Sequence, residues 1–386
     1  MNSENLEVYR ELQKHLDNMP IGFPATRSGI EIKILKKLFN PEEAKIATYL
    51  KYQAIPSESL ETIYDRVKDL EITMDELEEK LENMASKGTI HYRKEGDQKY
   101  YANALFAVGM YEFQVNKITK DFFKEFLNYV FEGYAKELFY TKIPQLRTIP
   151  IEQSITPQHE VKTYDNIRKV LEDSCGPFVV ANCICRQAMD LMGKPCERTD
   201  RREICLGFGN MAQQYIDQDW GREITREEAM EILTENENDG LVLQPSNTRE
   251  IDFICSCCSC CCGLLMAKKM LPKPVEFVSS NYYAIIDPDL CTGCEICLDE
   301  CTMEALKIKN EVSTVNSDRC IGCGVCVPKC PNEAISLKEK DESYDLPKTS
   351  NELYSKISEK KQRLIQEEIE KKERRRRKRR EKNTKK

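Results

Sequence analysis

Cysteine carries the chemistry of this 386-residue chain, and its spacing is regular enough to say which chemistry. Cys291, Cys294 and Cys297 follow one another three residues apart, Cys301 comes four further on, and the pattern recurs 29 residues later as Cys320, Cys323, Cys326 and Cys330. Three thiolates so spaced on a tight loop can cap three corners of a cubane, while the fourth reaches the neighbouring cofactor. The spacing therefore assigns Cys291, Cys294, Cys297 and Cys330 to one 4Fe–4S cluster. Cys320, Cys323, Cys326 and Cys301 go to a second. Two zinc ions on the same eight thiols fit less well, because zinc sites pair CxxC units rather than demand three evenly spaced thiols.

The repeat extends beyond the ligands, with Asp289 matching Asp318, Gly293 matching Gly322, Ala305 matching Ala334 and Leu306 matching Ile335. Each half is expected to form a small strand, loop, helix and strand, its glycine letting backbone amides approach an anionic cluster. Residues 284–338 resemble bacterial dicluster ferredoxins, and the resemblance implies an electron-carrying module. Thr302 departs from that pattern, standing where the second copy has Pro331. The departure bears on potential and solvent shielding rather than on ligation.

Ten further cysteines fall in two groups. Cys183, Cys185, Cys196 and Cys205 form the first, with Arg186 beside them; Cys255, Cys257, Cys258, Cys260, Cys261 and Cys262 form the second. Six thiols in eight residues cannot all be inert packing, because neighbouring side chains on a turn diverge and remain open to oxidants. Gly263 followed by Leu264, Leu265 and Met266 reads as a helix start, whose free amides favour anionic sulfur. One or two additional iron–sulfur clusters, a zinc or mixed metal site, and metal-free redox or substrate-binding thiols all remain open for these ten. Cys175, alone before Gly176-Pro177, reads as a packing residue.

All nineteen cysteines lie between residues 175 and 330. The first residues, with Glu4, Glu7, Arg10 and Glu11, do not read as a secretory leader, and no apolar run is long enough to span a bilayer. A reducing cytoplasm is the expected setting, where dense cysteine signals metal rather than disulfides. Net charge is −7, yet residues 370–386 hold twelve Lys or Arg against three Glu. The rest of the chain is thus strongly acidic, a poor match for a nucleic-acid binder with a basic folded face. With only His15, His91 and His159 present, a haem or histidine-based site is not expected.

The elements that must hold these thiols read as an α+β multidomain chain. Residues 1–140 form a helical and winged-helix-like domain. Within it Ile30, Ile34, Leu35 and Leu38 mark an amphipathic helix, Pro41 opens another, and Leu60 to Leu70 makes a third. Thr73 and Glu76 cap the next, Gly88 ends it, and Glu95-Gly96-Asp97 turns a hairpin. Phe122, Phe123, Phe126, Phe131 and Phe139 stripe one helix over residues 118–140 as core or as a partner surface. Residues 141–175 read as a Pro-punctuated linker or wrapped loop, 176–280 as a cysteine-rich domain with a helix from Thr225 to Gly240, 281–340 as the dicluster domain, and 341–386 as a charged helical tail.

Taken whole, residues 16–340 resemble the 4Fe–4S dicluster ferredoxin-like proteins of anaerobes and archaea. The likeness rests on Met19 to Pro24 with Ser28-Gly29, on Leu38 to Glu43, on Cys183 to Arg186, on Cys255 to Gly263, and on Asn281 to Tyr283 leading into Asp287 to Cys294. It implies electron transfer to or from a redox partner protein. Two other readings stay open: an oxidoreductase with its active site in the Cys183–Cys262 region, and a redox-sensing regulator using the winged helix. Against DNA binding by that helix stand Asp75, Glu76, Glu78, Glu79 and Glu82, which would repel phosphates. The basic tail remains a candidate for weak nucleic-acid contact.

Overall fold

The computed structural model describes residues 3–52, 58–155, 163–341 and 344–384. Helices α1 (Ser3–Asp17), α2 (Ile30–Leu38) and α3 (Pro41–Ala47) open the chain. Ile30, Ile34, Leu35 and Leu38 of α2 are all buried, and α3 begins at a reciprocal capping box between Asn40 and Glu43. Strand β1 (Glu58–Ser59), α4 (Leu60–Arg66), α5 (Met74–Lys87) and the hairpin β2 (Ile90–Glu95) and β3 (Gln98–Asn103) follow, with sheet order β1-β3-β2. Thr73 and Glu76 cap α5 and Gly88 ends it. The expected aromatic helix runs without a break from Lys120 to Tyr140 and contains one wider turn. That turn, at 130–134, joins α6 (Lys120–Tyr129) to α7 (Ala135–Tyr140), and Phe131 within it is 69% exposed while Phe122, Phe123 and Phe126 are buried.

The described part of residues 141–175 packs against the core, as a wrapped loop would. Ile149 and Ile151 are fully buried, the Ile149 amide donates to the Leu243 carbonyl, and Arg147 pairs with Asp165 in the interior at 2.8 Å. Apolar side chains between the prolines give this segment more to gain from the core than from solvent. It leads into α8 (Ile167–Asp173). His159 lies outside the described residues.

The middle domain is a five-stranded antiparallel sheet of order β6-β4-β5-β8-β7. Its elements run β4 (Phe178–Asn182), α9 (Ile184–Leu191), β5 (Glu203–Phe208), α10 (Gly209–Asp217), β6 (Gly221–Ile224), α11 (Arg226–Asn238), β7 (Val242–Pro245), β8 (Phe253–Cys257) and α12 (Gly263–Lys269). Val180, Leu206, Leu243 and Ile254 face α8 and α11 in one core. Strand alternation sends Val179, Ala181, Cys205, Gln244 and Cys255 to the opposite face. That face looks toward the N-terminal helices across a cavity of about 900 Å³.

Next come β9 (Tyr282–Ile286), α13 (Ile296–Glu300), β10 (Leu306–Lys309), β11 (Val312–Val315) and β12 (Ile335–Glu339). β9 pairs with β12 and β10 with β11, both antiparallel. Cys301 closes α13 rather than beginning a helix, and the second copy has turns in place of α13. Finally α14 (Ser350–Thr384) docks its first turns, with Leu353 and Ile357 buried in the N-terminal core. Lys361 then clamps Glu137 at 2.6 Å, and beyond it the helix is largely exposed. No described helix is long and apolar enough to cross a membrane.

Glu112 is half-buried, lines the cavity and accepts the Gly109 N–H at 2.7 Å. Burial pushes its carboxyl up to about 7. The folded protein therefore keeps a proton that the unfolded chain releases near the ordinary glutamate value, so Glu112 costs stability as pH rises from about 4.5 to 7. Glu112→Gln should stabilise the fold by about 1–3 kcal/mol at pH 8 and change little at pH 4.5. Chemical denaturation at the two pH values checks it; an equal shift at both would contradict the assignment.

Candidate metal centres

The two thiolate loops are related by local pseudosymmetry that reaches into the backbone. The Asp287 amide donates to Ala334 O at 2.8 Å, and the Asn316 amide to Ala305 O at 2.7 Å. Asp287 Oδ1 accepts from the Asp289 amide and Asn316 Oδ1 from that of Asp318, so an identical Asx turn launches each loop. Cys291, Cys294, Cys297 and Cys330 line a cavity of about 20 Å³, and Cys301, Cys320, Cys323 and Cys326 line another of about 30 Å³. Each cavity thus draws three thiols from one loop and the fourth from the other.

The donor set fits anionic clusters. Amides of Ala284, Ala305 and Ser313 donate to the sulfurs of Cys320, Cys301 and Cys291 at 3.3, 3.2 and 3.4 Å. Gly293 and Gly322 adopt φ of +66° and +68°, and a Cβ on either would stand 2.3 or 2.1 Å from the carbonyl oxygen of Glu311 or Tyr282. Only glycine lets these loops close so tightly. Burial pushes the Cys323 thiol up to about 12, so loading this site must displace protons. The sites differ in exposure: Cys294 is exposed, whereas Cys320 and Cys326 are buried. Thr302 lines the inner cavity, buried, with its hydroxyl unpartnered.

The ten middle cysteines separate into four and six. Cys196, Cys258, Cys260 and Cys261 come within 4.8 Å of one another. Cys196 lies 3.7 Å from Cys258 and 3.8 Å from Cys260, and Cys258 lies 3.2 Å from Cys260. Tetrahedral thiolates around one zinc-sized ion stand about 3.8 Å apart, so this quartet fits a single ion; opened outward, it could hold a cluster. Arg186, buried, donates to Cys196 Sγ at 3.3 Å and Cys258 Sγ at 3.5 Å, supplying positive charge where thiolates need it.

The other six face the large cavity. Cys183 interacts with Cys185 and Cys205, Cys262 with Cys185 and Cys257, and Cys255 with Cys205 and Cys257, which closes a ring. Hydrogen bonds from Cys185 hold both Cys183 and Cys262 far below the ordinary thiol range, while Cys185 itself is raised. Cys183 and Cys262 occupy the N-terminal caps of α9 and α12. Cys175 is exposed, not packed as expected, since it precedes the Gly176-Pro177 turn outside β4.

Sequence reasoning missed Lys268, buried with its ammonium unpartnered near Cys262 and Cys257, and pulled down to about 8 by burial. It also missed Gln244, which stands opposite Cys255 in the β7–β8 register. A polar residue directly continuing the apolar run Leu241 to Leu243 within a strand was the available signal for the latter.

Residues 275–337 match the 4Fe-4S dicluster domain family. Neither the curated proteins nor the solved structures yielded a match to the chain.

Gly322→Ala should lower bound iron by about four atoms per chain by closing the inner cavity. Gly263→Ala, where a Cβ meets open space, should leave iron unchanged. Anaerobic metal analysis of the two variants tests whether the loop geometry matters.

Proposed function

We infer that the two 4Fe–4S clusters implied by the dicluster domain serve iron–sulfur electron transfer. We propose that this chain is an electron relay in which Cys291, Cys294, Cys297 and Cys330 hold an outer cluster, and Cys301, Cys320, Cys323 and Cys326 an inner one. When bound, the clusters supply one-electron redox centres. The observation that carries the reading is the gradient of exposure between the two four-cysteine cavities. Exposed Cys294 marks the face at which a redox partner docks, and an acidic body steers a basic one there. The inner loop is turned inward: Met303, Ile321 and Val325 belong to the middle-domain core, and the Ile151 amide bonds Cys323 O at 3.1 Å. Arg198, two residues after Cys196, pairs with Glu300 at 2.6 Å and so ties the quartet loop to the helix between Cys297 and Cys301. Electrons would thus pass from the outer loop to the inner one and on toward the middle thiols.

The oxidoreductase reading, with chemistry in the Cys183–Cys262 region, is favoured by one observation, the cavity onto which those thiols open. The regulator reading has no comparable support, since Lys99 is engaged by Glu78 and Glu82 and acidic residues dominate the exposed side of α5. The basic end of α14 stands apart from every thiol site, and its removal should leave the relay intact.

Cys294→Ser and Cys323→Ser should each remove about four iron atoms per chain from anaerobically prepared protein. In the intact chain, electron paramagnetic resonance of the fully reduced state should show two magnetically interacting clusters. Loss of all iron on either substitution, or a reduced spectrum without interaction, would contradict two separately held and neighbouring clusters.

A further inference from the structure

We propose that the six-thiol ring of the middle sheet is a separate polynuclear metal site, set in the floor of the large cavity, and that the cavity binds an uncharged, mainly apolar small molecule carrying an amide-like or hydroxyl head. The inference goes beyond electron relay through the dicluster module and stands on different residues.

The ring is built by the sheet rather than by a turn. Cys255 and Cys257 lie two residues apart on β8, so both side chains leave by the same face with Cα atoms about 6.8 Å apart. The β5–β8 register pairs Leu206 with Ile254, which sets Cys205 opposite Cys255. Cys183 and Cys185 approach from the end of β4 and the first turn of α9, and Cys262 from the start of α12. Among the described residues the quartet is the only group of three or more potential ligands drawn within 4.8 Å, so the ring is too wide for one ion to collect. The eight dicluster thiols likewise surround voids and bring no three sulfurs close enough for one ion to collect. A wide ring of six sulfurs matches a core of several metal ions bridged by sulfide, for which thiolates are the preferred terminal ligands.

Charge around the ring agrees. Lys268 is 1% exposed, its Nζ has no hydrogen-bond partner, and it lies near Cys257 and Cys262. Arg186, at the far side, faces Cys183 as well as the quartet. Two buried cations without a carboxylate partner are costly unless an anionic centre sits between them.

Above the ring the cavity is apolar, walled by Phe123, Phe126 and Leu127 of α6 on one side and by Met211, Leu264 and Met266 on the other. Phe131 and Met270, 69% and 74% exposed, are among its lining residues. Its volume lies within the range of small-molecule sites. Gln244 is fully buried in its lining, and neither its amide nitrogen nor its oxygen has a partner. A buried primary amide with both ends free is a recognition group awaiting a ligand that both accepts and donates.

The test uses full-length protein prepared without oxygen, analysed for iron, zinc, nickel, copper and acid-labile sulfide. Cys205→Ser combined with Cys255→Ser should lose on the order of two to eight metal atoms and keep the dicluster resonance. The converse variant, Cys294→Ser with Cys323→Ser, should keep the ring's metal, which separates failure of this site from failure of the relay. For the cavity the probe is 2-naphthamide, an uncharged fluorophore whose amide both accepts and donates. It should bind the wild type, bind roughly tenfold more weakly to Gln244→Leu, and bind several-fold more weakly to Leu264→Trp, whose ring takes up part of the apolar space. Metal content unchanged by the ring substitutions overturns the metal site. Probe binding unchanged by both cavity substitutions overturns the ligand site.

Discussion

A buried thiolate survives only where oriented amides, cations or metal ions replace the water it has lost, and the arrangement of this molecule follows from that constraint. The dicluster loops meet it with backbone: amides of Ala284, Ala305 and Ser313 point at sulfur, and glycines at positive φ let the chain come close enough to do so. The middle sheet meets it with side chains. Arg186 reaches both the quartet and the ring, and Lys268 is buried beside Cys262 with nothing but sulfur to balance it.

Positioning those groups is the work of the remaining elements. An antiparallel sheet with one face in the core and one face free gives cysteine a rigid platform, because the period of two keeps Cys255 and Cys257 pointing together. The N-terminal helices and the docked start of α14 share a core with Ile184, Ala188 and Trp220 of the middle domain. They roof the platform without filling the space above it. The segment 141–155 stitches the inner loop to the sheet through Ile149 and Ile151.

The sequence disclosed what is local and concealed what is not. Short-range spacing made the two thiolate loops, the helix start at Pro41, the capping box at Thr73, and the β2–β3 hairpin legible, because each depends on contacts within a few residues. The expected crosswise placement of Cys301 and Cys330 rested on the repeat, and each of these cysteines lines the cavity of the opposite loop. The division of the ten middle cysteines was not, since Cys196 meets Cys258 across 62 residues. Clustered cysteines also masked β8: Phe253 to Cys257 alternates like a strand, but six thiols in eight residues read as a turn. Linker and wrapped loop could not be told apart for 141–175, because the carbonyls that Ile149 and Ile151 meet belong to Leu243 and Cys323, far along the chain.

Anomalous scattering from crystals grown without oxygen, recorded on both sides of the iron absorption edge, tests the account most directly. Iron is expected at two positions, one bounded by Cys291, Cys294, Cys297 and Cys330 and the other by Cys301, Cys320, Cys323 and Cys326. Iron bounded by Cys291, Cys294, Cys297 and Cys301 of a single loop, or an absence of iron from both positions, would contradict it.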